Sequence, residues 1–153
     1  MSGMFSNDGV QVQEYVYDFA VDGGSTSAAI DLSAKAGKPT LPAGAVVLGV
    51  VARVLTSCTS GGSATVSWGP SADADGYSGA AVAVASLAAN AVFNGTEDGS
   101  NPAALLWDNT LDAPKYYPVT ATANTQDFTV TIATAALTAG KISFSVLYLN
   151  PAS

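Results

Sequence analysis

The acidic side chains are the groups in this sequence most able to do chemistry, and Asp73-Ala74-Asp75-Gly76 is their most metal-like string. Aspartates at this spacing open the calcium loop of an EF-hand, which also needs a bidentate glutamate at about the twelfth position. Counted from Asp73, that position is Val84, so the EF-hand interpretation fails. A solvated aspartate-rich turn explains the string better, with a looser calcium site as the alternative. We therefore predict no bound metal and no other cofactor.

Catalytic constellations are equally sparse. The chain has 153 residues and no histidine, which excludes Ser-His-Asp triads, Cys-His pairs and histidine-ligated zinc. Only a lysine could then activate a serine nucleophile, and no Ser-x-x-Lys string occurs. Glu14 and Glu97, the only glutamates, are not placed by the sequence as a glycosidase pair. We predict that the protein is not an enzyme, and catalysis is the least favoured alternative.

The charge balance bears on the class of partner. Twelve acidic and five basic residues give a net charge of −7, which is unsuited to neutralising phosphates, so we expect no nucleic-acid partner. Charged residues make up only 11% of the chain. Such a surface suits contact with other proteins, although small polar residues also simply suit β-structure. The single cysteine, Cys58, cannot form an intrachain disulfide and is expected to be a small buried hydrophobe.

No targeting or membrane segment is evident. The first fifteen residues lack the basic and apolar regions of a signal peptide. The longest apolar stretch, 45–55, is interrupted by Arg53 and is shorter than the ~20 residues that span a bilayer. We expect no membrane partner and synthesis in the cytoplasm. Residues 1–9 are predicted to form a flexible arm, and 10–153 a single domain.

Apolar alternation and closely spaced turn residues predict a chain made of strands. The expected fold is an all-β, antiparallel β-sandwich or jelly roll of about eight strands. No segment shows the periodicity of a long amphipathic helix. The predicted strands cover 10–19, 27–32, 45–58, 63–68, 80–89, 103–107, 116–123, 127–134 and 142–149.

Two irregularities in the pattern make further predictions. The large residues of the first strand change parity near Gln13 and Glu14, which predicts a β-bulge there. The strand over 45–58 is rich in β-branched residues at both parities and is expected to be covered on both faces. Leu147 and Leu149 break the alternation of the last strand, so its end is expected to be covered in the same way.

Three segments carry a family resemblance: LPAGAVVLGVV at 41–51, GGSATV at 61–66 and LTAGKI at 137–142. With these segments the chain resembles small structural proteins of tailed bacteriophages, in particular the capsid decoration or cement proteins. The resemblance extends over roughly residues 15–150.

The resemblance implies a sandwich or jelly-roll domain that assembles as a homotrimer on the capsid exterior of the virion. There it would bridge subunits of the major capsid protein and stabilise the shell, without catalytic residues. The arm could order on docking. A tail or fibre module that adheres to a host surface receptor or glycan is the alternative, and its aromatic residues could stack on sugars. The candidate partner-binding residues are aromatic or apolar side chains in the arm and in a later loop, although the loop aromatics could equally tuck under the sandwich: Met4, Phe5, Trp107, Tyr116 and Tyr117.

Overall fold

Short and long β-strands are the main regular secondary structure in a computed structural model, which describes residues 9–95, 105–108, 111 and 113–150. Two one-turn α-helices and two 3₁₀ turns, Leu32–Ala34 and Val84–Ser86, connect some of the strands. The elements are β1 (Val10–Asp18), α1 (Phe19–Asp22), β2 (Ile30–Asp31), β3 (Val46–Ser60), β4 (Thr65–Gly69), β5 (Val82–Ala83), β6 (Val92–Phe93), β7 (Trp107–Asp108), β8 (Ala113–Pro114), β9 (Tyr117–Pro118), α2 (Ala123–Gln126), β10 (Thr129–Ala133) and β11 (Leu137–Leu149).

The strands form two main antiparallel sheets. The first sheet has the order β1-β11-β3-β6, and β9 also pairs with β3. The second sheet has the order β2-β10-β4-β5, and β7 and β8 form a separate two-stranded ribbon. The two sheets pack face to face through their apolar sides. The predicted all-β sandwich is therefore confirmed, while jelly-roll topology stays a prediction.

Aromatic side chains join the two sheets. Trp68 on β4 packs against Phe144 on β11, with ring centroids 5.3 Å apart. Phe144 in turn contacts Phe128 at 5.1 Å, and Phe128 stacks on Tyr15 of β1 at 4.8 Å. Alternation of large residues along β1, β4 and β11 turns these rings to one side of each strand. Burial of these large rings contributes to holding the sheets together.

Three buried tyrosines differ in how their hydroxyl groups are satisfied. Tyr15 donates to the carbonyl of Pro39 at 2.7 Å, and Tyr17 to that of Gly23 at 2.8 Å. The hydroxyl of Tyr77 is buried and has no hydrogen-bond partner among the described residues. Burial, followed by the neighbouring Tyr117, raises the pKa of Tyr77 above its ordinary value. Tyr77 thus carries the cost of a buried polar group without the compensation that Tyr15 and Tyr17 have.

Replacing Tyr77 with phenylalanine is expected to leave the free energy of unfolding unchanged or to raise it. The matched variant Tyr15→Phe removes a satisfied hydrogen bond and should lower it by about 0.5–1.5 kcal/mol. Urea unfolding followed by circular dichroism measures both variants against the parent. A larger loss for Tyr77→Phe than for Tyr15→Phe would contradict the assignment.

The long strands lie close to where alternation predicts them, and the short ones do not. β3, β4, β10 and β11 match their predicted strands, although β11 begins five residues before the predicted 142–149. The strand predicted over 80–89 is wrong, because only β5 is extended before the chain turns at Val84–Ser86. Alanine has a weak preference for strands, so contacts made by the rest of the 80–89 segment determine its conformation. The strands predicted over 27–32 and 116–123 likewise shrink to β2 and β9, two residues each.

The bulge predicted in the first strand is wrong. β1 pairs with β11 without interruption, from Val10 opposite Leu149 to Asp18 opposite Lys141. The parity change has a different origin: Tyr15 and Tyr17 face the core, whereas Val10 and Val12 lie on the opposite, solvent side. An apolar pattern that changes parity can therefore mark two apolar faces of one regular strand.

The irregularity in this sheet lies instead at the start of β11. Its register against β3 shifts three times between Leu137 and Ile142. Gly140 lies in this stretch with φ at +141°, and a β-carbon there would come within 2.5 Å of the Cys58 sulfur. Cys58 is buried, as predicted, and burial raises the pKa of its thiol to about 11. Gly140 lies within β11, where the register of the strand shifts.

Candidate functional site

Most of the exposed large apolar side chains in the described residues lie on one surface, the solvent side of the first sheet. We call this surface the outer face. Alternation along each strand turns these side chains away from the core, while their neighbours in sequence are buried. The exposed apolar residues of the outer face are Val10, Val12, Val51, Leu55, Val92 and Leu149.

The strand register divides the outer face into an apolar end and a charged end. At the apolar end, Val12, Leu147 and Gly49 form one row across β1, β11 and β3. Val10 and Leu149 form the next row beyond it. Cross-strand neighbours on one side of a sheet are within contact distance, so these side chains form a continuous apolar patch.

The charged end of the outer face lies three rows from Val12 and Leu147. Asp18 and Lys141 are paired there across β1 and β11, with Nζ and Oδ2 2.9 Å apart. The hydrogen bond from Lys141, followed by that from the Ala20 amide, holds the pKa of Asp18 below its ordinary value. Arg53 lies opposite Val92 near this end and is exposed. The face therefore offers an apolar patch bordered by charged groups.

The covering expected for β3 and for the end of β11 is not provided by the described residues. Val50, Ala52 and Val54 are buried against the second sheet, whereas Val51 and Leu55 are exposed on the outer face. The prediction that both faces are covered is therefore wrong for these strands within the described part of the chain. A strand with apolar residues on its solvent side is a candidate contact for another molecule.

The aromatic residues proposed for partner binding do not form one exposed cluster. Tyr116 is exposed, but Tyr117 is half-buried and packs edge-on against Tyr77, with centroids 6.0 Å apart. Trp107 is half-buried and pairs with Pro114 in the β7–β8 ribbon. Met4 and Phe5 lie outside the described residues. Their roles in binding stay predictions, with Tyr116 the most accessible of those described.

The aspartate string lies in the loop after β4. Asp73 is partly buried, and burial raises the pKa of its carboxyl, with the hydrogen bond and charge of Asp75 adding to the effect. Among the described residues, no three acidic, histidine or cysteine side chains lie together as a metal site requires. The two carboxyl groups therefore lie in an acidic turn in which Asp73 is the more buried.

We expect Asp73→Asn to raise the melting temperature at pH 7. Because the folded-state pKa is raised, the native state binds more protons than the unfolded state as the carboxyl titrates. The stability it contributes is present below the unfolded pKa and is lost as pH rises through the folded pKa. Differential scanning calorimetry of parent and variant should therefore show a gain at pH 7 that shrinks on acidification.

Asp75→Asn is the matched control for this prediction. It removes the neighbouring charge but leaves the Asp73 carboxyl buried, and burial is the larger cause of the raised pKa. Its gain at pH 7 should be smaller than that of Asp73→Asn. A loss of stability in Asp73→Asn at pH 7 would contradict the assignment.

Sequence reasoning did not assign the outer face, although its signal was present. The parity change was explained by a bulge, which would place Val10 and Val12 on the same face as Tyr15 and Tyr17. The unbroken alternation of polar and apolar residues on either side of the parity change was the available signal. An apolar residue at the wrong parity of an otherwise regular strand indicates an exposed apolar face.

Other kinds of site find little support in the described residues. A shallow depression beside β4 and β5 is lined by small side chains, including Ser63, Thr65 and Ala83, and none of its lining residues is titratable. No helix in the described part of the chain is long and apolar enough to cross a membrane. Among the described residues, the outer face is therefore the strongest candidate for a binding surface.

Comparison with known proteins identifies the fold but not a family. No protein-family model and no curated protein matches the sequence. Among solved structures, a chain of the cyanophage Pam1 capsid asymmetric unit has a TM-score of 0.59 and 17% sequence identity, and the match covers 95% of this chain and 88% of that one. A chain from the acid-stable capsid of Helicobacter pylori bacteriophage KHP30 matches at a TM-score of 0.41 and 15% identity, over 94% and 89% of the two chains. The Pam1 chain thus shares the overall fold described above.

Proposed function

We propose that the protein is a bacteriophage capsid decoration, or cement, protein that binds the outer surface of the shell and bridges neighbouring major capsid protein subunits. The observation that carries this proposal is the fold shared with a chain of the Pam1 capsid. The match covers 95% of this chain and 88% of that one, so it concerns the whole of the fold and not one motif. A structural role without catalysis also agrees with the absence of histidine from the sequence.

The outer face supports the proposal as the surface for a protein partner. Its exposed valines and leucines include Val51 in the middle of the sheet, bordered by Arg53 and the Asp18–Lys141 pair. Interfaces between proteins commonly combine an apolar centre with a polar rim. We propose that a shell subunit covers this face, which would account for the apolar residues on the solvent side of β3.

Assembly as a homotrimer is part of the proposal. Three copies held together could contact several shell subunits at once, so that modest individual contacts give a long-lived complex. The net charge of −7 suits the exterior of a particle, because an acidic coat does not compete with the shell for packaged nucleic acid. The expected location is the outside of the virion.

Reconstitution on capsids tests the function. Capsids of the virus that encodes the chain, stripped of accessory proteins, are mixed with increasing amounts of the purified protein and pelleted. We expect saturable binding at a fixed ratio to the major capsid protein, together with a higher melting temperature of the shell. Binding without saturation, or no binding to intact capsids, would overturn the proposal.

Two aspartate substitutions at exposed valines test the binding surface. Val51→Asp places a charge in the middle of the outer face and should reduce capsid binding at least about tenfold, the cost of desolvating an unpaired charge at an interface. Val21→Asp places the same charge on α1, beyond the end of β1 and outside the residues of the outer face, and should bind like the parent. Because both valines are solvent-exposed, neither change is expected to prevent folding.

A role as a tail or fibre module that binds a host receptor is favoured only by the exposed ring of Tyr116. The inward packing of Tyr117 on Tyr77 removes a second ring from any stacking platform. A glycan array separates the two functions. Glycan binding that Tyr116→Ala abolishes, with no binding to capsids, would favour the adhesion role.

A further inference from the structure

One edge of the first sheet is only half closed. β1 pairs with β11 on one side and is the edge strand of that sheet. On the other side, Lys35 Nζ donates to the carbonyl of Val16 at 2.6 Å, and the Asp18 amide donates to Asp22 Oδ2 at 2.8 Å. At this end of the edge the Val16 carbonyl and the Asp18 amide therefore already have side-chain partners within the same chain.

The other half of the edge is open. Backbone groups of alternate residues point to the same side of a strand, so the peptide groups of Val10, Val12 and Glu14 point outward like those of Val16 and Asp18. Among the described residues, the Glu14 carbonyl accepts only from the side-chain amide of Gln13, at 3.2 Å. The outward groups of Val10 and Val12 have no partner among the described residues, and these side chains are 54% and 63% exposed. An open edge of this kind is a template for pairing with another strand.

We propose that this open edge pairs with the same edge of a second copy of the chain, antiparallel and about a two-fold axis through Val12. In this register Val12 faces Val12 of the second copy, and Val10 faces Glu14 of the second copy on each side of the axis. Each of these pairs exchanges two hydrogen bonds. Shifting the register by two residues in one direction would place Val10 opposite Val16, whose carbonyl is already occupied by Lys35. Shifting it in the other direction would place Glu14 opposite a residue that precedes the start of β1.

The side chains of the edge are self-complementary in this register. Gln11 lies opposite Gln13 of the second copy, and each amide can both donate and accept. The two Glu14 residues are separated by four residues along the strand, or about 13 Å, which exceeds the screening length of ~8–10 Å in physiological salt. The axis also brings the apolar ends of two outer faces together, because Val10 and Val12 belong to both the edge and that face.

The contact between the two β1 edges is small, so its test must detect weak association. Five paired residues bury much less than the ~1,600 Å² of a standard interface, so free chains are expected to associate weakly. Copies held close together on a larger assembly would pair much more readily. The two-fold contact uses a different symmetry from the proposed homotrimer, so it could connect neighbouring trimers. It depends on neither the trimer nor the capsid.

Disulfide trapping of the purified chain tests the pairing and its register. The hydrogen-bonded Val12 pair would have a Cα separation of about 5.5 Å, within the ~4.4–6.8 Å range of disulfides. Under a mild oxidant, Val12→Cys should form a covalent dimer about tenfold or more faster than Val21→Cys, an exposed control on α1. The native Cys58 is buried with a raised pKa and will not compete.

Two further variants fix the register. Val10→Cys and Glu14→Cys should each cross-link slowly alone but quickly when mixed, giving a heterodimer. Equal rates for Val12→Cys and Val21→Cys, or fast dimerisation of Val10→Cys alone, would overturn the proposal. Melting temperatures of all four single variants, reduced, verify that the chains are folded before trapping. If the cross-linking shows no edge pairing, the proposed capsid binding still stands, because pelleting measures it separately.

Discussion

Replacing Trp68 with alanine is expected to lower the free energy of unfolding by about 3–5 kcal/mol, the range for truncation of large buried aromatics. Trp68 is 1% exposed and lies where the two sheets meet. Its ring packs against Phe144 of β11 at 5.3 Å and against Phe93 of β6 at 6.1 Å. Alanine would leave a cavity between sheets that the rigid strand ladders cannot close, so the transfer and cavity costs add. Urea unfolding followed by far-ultraviolet circular dichroism measures the loss.

Trp68→Phe and Trp107→Ala are the controls for this prediction. The indole Nε1 of Trp68 is buried without a hydrogen-bond partner among the described residues, so phenylalanine removes an uncompensated polar group while keeping a ring. Its cost should be clearly smaller than that of alanine. Trp107 is half-buried in the β7–β8 ribbon, away from this contact, and should cost less than Trp68. A loss below about 1 kcal/mol for Trp68→Ala would show that the sheets are held together elsewhere.

The long strands could be predicted because their pattern reflects a local rule. Alternation at β10 and along β11 records which side chains face the core, and this information lies within each strand. The two-residue strands β2, β5 and β9 exist only because a longer strand lies beside them. Their sequences show no such alternation, so pairing with the longer strand determines their conformation.

The candidate site was harder to predict because it depends on which side of a strand is left uncovered. The outer face was present in the sequence as Val10, Val12, Leu147 and Leu149, but the first two were explained by a bulge and the last two by covering on both faces. Tyr116 and Tyr117 show the same limit on a smaller scale. They are adjacent and identical in type, yet one is exposed and the other packs on Tyr77. Only the path of the chain into β9 gives these two side chains different exposure.

In the closed half of the β1 edge, a single ion pair supplies side-chain partners to outward backbone groups. Lys35 Nζ lies 2.7 Å from Asp22 Oδ2, and the side chains are 28% and 6% exposed. The same lysine donates to the Val16 carbonyl, and the same aspartate accepts from the Asp18 amide. Neither contact was predictable from spacing, since 13 residues separate the pair. Lys35 therefore both compensates a buried carboxylate and blocks the edge.

Lys35→Ala is accordingly expected to have two effects. The free energy of unfolding should fall by about 2–3 kcal/mol, somewhat below the ~3–5 kcal/mol for breaking a fully buried pair, because Lys35 is partly exposed. The Val16 carbonyl would also be released, which lengthens the open edge and favours uncontrolled strand pairing. Chemical unfolding measures the first effect, and dynamic light scattering at raised protein concentration measures the second.

Lys141→Ala is the matched control. It breaks the more exposed ion pair between Lys141 on β11 and Asp18 on β1, and it leaves Lys35 in place at the edge. It should cost less stability than Lys35→Ala and cause no additional aggregation, since exposed pairs are well solvated. Lys35→Met with Asp22→Asn should recover part of the lost stability, because no buried charge is then left unpaired, but not the resistance to aggregation. If that double variant were as soluble as the parent, blocking of the edge by Lys35 would be disproved, although the ion pair would still stabilise the fold. The two effects of Lys35 are thereby separated, and the limit of the open edge at Glu14 is tested directly.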